Sequence, residues 1–176
     1  MIKVIEEKDL QELLSRCKTG DRNAQREIYK RYYSSAMGIC IRYATNRTES
    51  VKIMNNGFYI LFSNSVLPKP KETFSENLQM IMIHSVITYY KNEMAGNIEK
   101  SMLYDSFDNF AFERSLASHH LLSAVQKLPL IQRLIFNLYA IDHYSNVEIC
   151  KMMNITTPFL EKILFTARST LSNINI

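Results

Sequence analysis

The sequence predicts an all-α protein: two small helical domains joined by a flexible linker, the second a helix-turn-helix domain. Three observations predict it. Four Gly and four Pro among 176 residues are too few for the tight turns of an all-β chain, while good helix formers abound. Apolar residues recur every three or four positions along most of the chain. The formal charge divides into +4 over residues 1–95, −2 over 96–118 and +2 over 119–176, so an acidic stretch separates two basic ones. With 47% hydrophobic residues, both flanking parts can bury real cores.

The first helix is predicted over Asp9–Lys18, with Leu10, Leu13, Leu14 and Cys17 on one face and Gly20 in the left-handed position that ends it. Asp21 caps a second helix of roughly six turns, whose apolar stripe is Ala24, Ile28, Tyr32, Ala36, Ile39 and Tyr43. Its other face carries Arg22, Arg26, Lys30 and Arg31, a basic surface that is more often solvated than functional.

Thr48 is the expected N-cap of a third helix with Val51, Met54, Phe58, Leu61 and Phe62 inward. Here "MNNGF" raises a conflict, because Asn-Gly between hydrophobic runs is a hairpin signal. The flanks do not alternate as a hairpin requires, so a helix is expected, with Gly57 costing roughly 1 kcal/mol relative to Ala. A π-bulge or kink at Gly57 is the fallback.

"SNSVLPKPKETF" reads as a loop around Pro68 and Pro70. Thr73 and Glu76 form a capping box for a fourth helix, with Leu78, Ile81, Met82, Ser85, Val86 and Tyr89 buried and Gly96 as its stop. These four helices make the expected first domain, residues 1–95. Residues 96–118 are an acidic linker punctuated by Met102, Leu103, Phe107, Phe110 and Phe112.

The second domain, 119–176, opens with two helices around Pro129. Ser145 and Glu148 form another capping box, a short turn follows at Asn154 and Ile155, and Thr157 as N-cap with Pro158 at the first helical position begins the last helix. Two short helices joined this way make a helix-turn-helix candidate.

Taken together, the chain resembles a divergent bacterial RNA polymerase sigma factor of the small, extracytoplasmic-function type. "KTGDRNAQREIYKRYYSSAMGICIRYATNRTES" is similar to the opening of that family's first domain through Gly20, Asp21, Ala24, Tyr29 and Tyr32. "LQMIMIHSVITYYKN" stands at the promoter-melting helix. "LPLIQRLIFNLYAIDHYSNVEICKMMNIT" resembles the final domain through Leu128, Pro129, Arg133, Phe136, Ser145, Glu148, Ile149 and Ile155. Ala167, Arg168 and Leu171 keep the spacing of its closing basic run. Order and spacing of the whole set carry the resemblance, since helix-turn-helix patterns alone have many false positives.

The resemblance implies a non-enzymatic, cytoplasmic initiation factor without cofactor, whose partners are core RNA polymerase and promoter DNA. An anti-sigma factor or another DNA-targeting protein is a further candidate partner. By position, Lys52, Asn55, Asn56, Phe58 and Tyr59 would bind polymerase. Lys69, Lys71, Phe74, His84, Thr88, Tyr89 and Lys91 would contact the melted promoter element, with Tyr89, Tyr90 and Lys91 supplying stacking and charge. Thr157, Phe159, Lys162 and Arg168 would belong to the recognition helix.

The departures concentrate at these polar positions. Lys52 and Asn55 stand where relatives have an acidic residue and Gln; Asn77, His84 and Thr88 stand where they have Trp, Asn and Asp. In the last helix, two commonly basic positions are Glu161 and Ile163 and another is Thr166, so fewer counterions would be released on binding. Three readings follow: an ordinary divergent sigma factor with relaxed or unusual promoter reading; a sigma-like protein brought to DNA by a partner that Phe159, Ile163 and Phe165 would contact; and a non-initiating protein-interaction adaptor derived from a sigma factor.

Structural alternatives stand beside these assignments. His84, on an otherwise apolar stripe, reads more readily as a core histidine than as a DNA contact, and one of Tyr89 and Tyr90 as core. Adjacent His119 and His120 do not share a helix face, so no metal site is expected. No phosphate loop, nucleophile elbow or paired acid points to catalysis. The three separated cysteines, Cys17, Cys40 and Cys150, read as core thiols, and no run is apolar enough for membrane insertion.

Overall fold

The computed structural model describes residues 7–63, 73–93 and 119–173, and every regular element among them is helical. In chain order these are α1 (Glu7–Lys18), α2 (Arg22–Tyr43), α3 (Arg47–Ser63), α4 (Phe74–Glu93), α5 (His119–Gln126), α6 (Leu130–Phe136), α7 (Asn146–Met153) and α8 (Thr157–Asn173). A π-helical turn, Asn137–Ile141, continues α6. The all-α expectation therefore holds among the described residues. The boundaries at 95 and 118, the acidic linker between them, the Pro68–Pro70 loop and the Gly96 stop lie outside those residues.

The chain forms two compact units, one made of Met1–Cys40 with Val51–Ser85, the other of Ile41–Ser50 with Val86–Ile176. In the first, Gly20 takes φ +81°, and the Gly20 and Asp21 amides donate to Cys17 and Arg16 carbonyls at 3.1 Å each, closing α1. Asp21 Oδ1 then accepts from the Asn23 and Ala24 amides at 2.8 and 3.2 Å and starts α2. Thr73 and Glu76 exchange the expected capping bonds: Thr73 N–H to Glu76 Oε2 at 2.7 Å and Glu76 N–H to Thr73 Oγ1 at 3.3 Å.

The Asn-Gly conflict resolves as helix. α3 runs through residues 55–57 without interruption, and Gly57 is buried against α4. A Cβ there would stand 2.5 Å from Met82 Sδ and 2.8 Å from its Cε, so glycine is what lets Met82 approach. Beside it, Asn56 Nδ2 donates to Ser85 Oγ at 3.0 Å and Ser85 Oγ donates to the Ile53 carbonyl at 2.7 Å. Ile28, Ile53, Met54, Phe58, Leu78 and Met82 form the surrounding core.

Three expected positions in the sequence move. Thr48 lies inside α3 rather than capping it: Asn46 Oδ1 accepts from the Glu49 amide at 2.8 Å, while the Glu49 carboxylate turns back to the Thr45 amide and hydroxyl. Asn is the stronger cap, and Asn46 stands at the required distance from Glu49. His84 is exposed rather than a core histidine, because Met82, Ile83, Ser85 and Val86 take the inward positions around it. At the far end of α4, Tyr90 rather than Tyr89 is buried.

In the second unit, α6 and α7 both pack on α8, around Leu134, Leu138, Ile149, Met153, Leu160 and Ile163. A polar cluster fastens the α6 region to residues 41–43. Arg42 Nη2 lies 2.7 Å from Asp142 Oδ1, the Tyr43 hydroxyl donates to the other carboxylate oxygen, and the Asp142 side chain is only 2% exposed. Asn137 Nδ2 donates to the Arg42 and Arg133 carbonyls at 2.9 Å each, and Gln126 Nε2 to the Ile41 carbonyl at 3.1 Å. Burial, then the Asp142 charge, pushes the Tyr43 hydroxyl well above its usual pKa, so it stays a donor. The π-helical turn sets Asp142 here: its amide donates to the Asn137 carbonyl at 2.9 Å.

Candidate nucleic-acid interface

The helix-turn-helix is built by local rules. Ser145 begins α7 with a full capping box: its Oγ accepts from the Glu148 amide at 3.3 Å, and Glu148 Oε2 accepts from the Ser145 amide at 2.9 Å. The Ser145 hydroxyl, which donates to Glu148 Oε2 at 2.6 Å, and then the Ser145 amide hold the Glu148 carboxyl below its usual pKa. Asn154 ends α7 in the left-handed conformation, φ 55° and ψ 50°, a place where asparagine substitutes for glycine. The Leu160 amide reaches the Thr156 carbonyl at 3.0 Å, so α8 begins one residue earlier than the Thr157 cap expected from Pro158.

Along α8, Leu160, Ile163, Leu164 and Ala167 face the core. Thr157, Pro158, Glu161, Lys162, Phe165, Arg168 and Ser169 are exposed on the other side. Phe159 is half-buried. Ile163, expected as a partner contact, is fully buried and cannot serve as one. Arg168 is not simply solvated, since its guanidinium carbon sits 5.5 Å from the Tyr139 ring centroid. Tyr139 comes from the π-helical turn and has no periodic signal in the sequence, so it was missed there. Val147, 78% exposed on α7, was missed as well.

On α3, Lys52, Asn55, Asn56 and Tyr59 are exposed, with Asn55 Oδ1 accepting from the Tyr29 hydroxyl at 3.1 Å. Phe58 is buried, its ring centroid 4.6 Å from that of Tyr29, and supports this surface from behind. Phe74 is buried against Tyr32 at 4.5 Å between centroids. Lys69 and Lys71 lie outside the described residues. In the second unit Thr88, Tyr89 and Lys91 are partly exposed, with Tyr89 edge-on to Tyr90 at 5.2 Å. Among the described residues no helix is long and apolar enough to cross a membrane.

Residues 119–171 match the family described as Sigma-70, region 4. No curated protein matches the chain. Among solved structures it is similar to a chain in "Structure of CnrH in complex with the cytosolic domain of CnrY", 16% identical, covering 91% of this chain and 92% of that one, with a TM-score of 0.44. At that score the likeness adds nothing to the helix-by-helix description above. The α5–α8 segment is similar to Sigma-70 region 4, and that match supports a sigma-factor role for the chain.

Proposed function

We propose that the chain is a sigma-type initiation factor that binds core RNA polymerase and directs it to promoter DNA. The region 4 match over a helix-turn-helix with a solvent-facing second helix carries this reading. Lys52, Asn55, Asn56 and Tyr59, backed by Phe58, are its polymerase-facing residues. His84, Thr88, Tyr89 and Lys91, with Lys69 and Lys71, are its contacts to the melted element, while Phe74, buried against Tyr32, serves packing instead. Thr157, Phe159, Lys162 and Arg168 are its recognition-helix residues. Promoter reading is relaxed, because two positions of α8 that are commonly basic in such factors are Glu161 and the buried Ile163, which leaves Lys162 and Arg168 as its exposed cations.

A second reading, recruitment by a DNA-targeting partner, is favoured by Val147, which leaves an apolar side chain in solvent on α7. Reconstituted transcription with the cognate core polymerase decides between the two. Initiation from defined promoters without any third protein supports the first. Core binding with initiation only after a partner is added supports the second, and core binding without initiation in either case would favour a protein-interaction adaptor. Absence of core binding refutes all three.

A further inference from the structure

We infer that Phe165 reads a thymine methyl group in the major groove, so that α8 discriminates by apolar contact at its centre and uses its cations only at the edges. This rests on the DNA-directed role proposed above and names the group that is read. Phe165 is 74% exposed, on a helix where Leu160, Ile163 and Leu164 turn inward and Phe159 is half-buried. Leaving a phenylalanine in water forgoes most of its burial energy, and none of the described residues of this unit covers it.

Lys162 and Arg168 stand three residues before and three after it, so the ring sits between two cations on one helix face. Arg168 is further placed by the Tyr139 ring 5.5 Å away. A surface complementary to this face is apolar in the middle and anionic at both borders. Duplex DNA has that form where thymine presents its 5-methyl group between two phosphate backbones. An apolar protein groove would match the ring but leave both cations unanswered. Glu161, exposed on the same side, disfavours phosphate and accepts from cytosine N4, which fits a face turned to base edges.

The test uses the full chain, alone and bound to core polymerase, to select duplexes from a random 20-base-pair pool on the order of a single site's length. Each thymine of the selected duplex is then replaced singly by uracil, which removes only the methyl. One replacement should weaken binding about fourfold, the loss of one buried methyl-sized group, and Phe165→Ala should weaken the thymine duplex while making that replacement silent. Lys162→Ala should instead weaken thymine and uracil duplexes alike and reduce the salt slope by about one. If a duplex is selected but every uracil replacement is silent, or Phe165→Ala retains the wild-type response to uracil, the inference falls and the initiation role stands. If no duplex is selected in either form, the inference falls together with the DNA-directed half of that role. A Phe165→Ala variant that binds the selected duplex normally but loses a protein partner also overturns it.

Discussion

α3 and α8 are each 17 residues long, and each departs from the pattern its position implies, yet the structure treats the two departures in opposite ways. In α3 three of the unusual residues are tied to neighbours: Asn55 and Asn56, at the surface, bond to Tyr29 and Ser85, and buried Gly57 admits Met82. In α8 Ile163 is taken into the core, but Glu161 and Phe165 face solvent. The lesson is that an irregular residue inside a helix–helix contact answers to packing, whereas one on an outer face is open to selection by whatever binds there.

The first way to sharpen the comparison is to extend the built-in class to a charged side chain that two partners hold. Asp142→Ala leaves Arg42 and Tyr43 without their acceptor and should destabilise the fold by about 3 kcal/mol, measured by urea unfolding. Gly57→Leu should cost about 2 kcal/mol through overpacking against Met82, and adding Met82→Ala should recover part of that loss. No recovery in the double variant would mean that Gly57 is needed for its backbone and not for the space it leaves.

A smaller effect is expected at the α7 cap and is visible through pH. The folded pKa of Glu148 lies below its unfolded value, so the unfolded chain binds more protons as the solution is acidified. The stabilisation is present above the unfolded pKa and fades as pH falls through the folded one. Thermal unfolding of wild type and Glu148→Ala should therefore differ at pH 6 and converge towards pH 3. The smallest stability effect belongs to α8: Phe165→Ala should stay within about 0.5 kcal/mol of wild type, since the side chain is 74% exposed. A larger loss would move Phe165 into the built-in class and erase the contrast.

Much of the fold was legible because its signals are local. Gly20 and Asp21, Thr73 with Glu76, and Ser145 with Glu148 all act within five residues, and each does what its spacing implies. The inward positions of α8 at 160, 163, 164 and 167 have helical period, yet Ile163 was expected outward as a partner contact. Where two local rules competed, the outcome was less secure. Thr48 and Asn46 are both capping residues, and only the placement of the Glu49 amide chose Asn46. His84 lies so near the edge of the apolar stripe of α4 that period alone did not decide its side.

By itself, then, the sequence determined the helical class, the capping boxes, the turn between α7 and α8, and the likeness to sigma factors that the region 4 match supports. Only the tertiary structure decided that Gly57 is a contact and not a weakness, that Asp142 gathers Arg42 and Tyr43 from 99 or 100 residues away, and that Tyr139 meets Arg168. The physical reason is range. Caps, turns and amphipathic stripes are written in neighbours a few positions apart, while a close helix approach or a buried charge pair depends on which distant side chain the packed core brings to it.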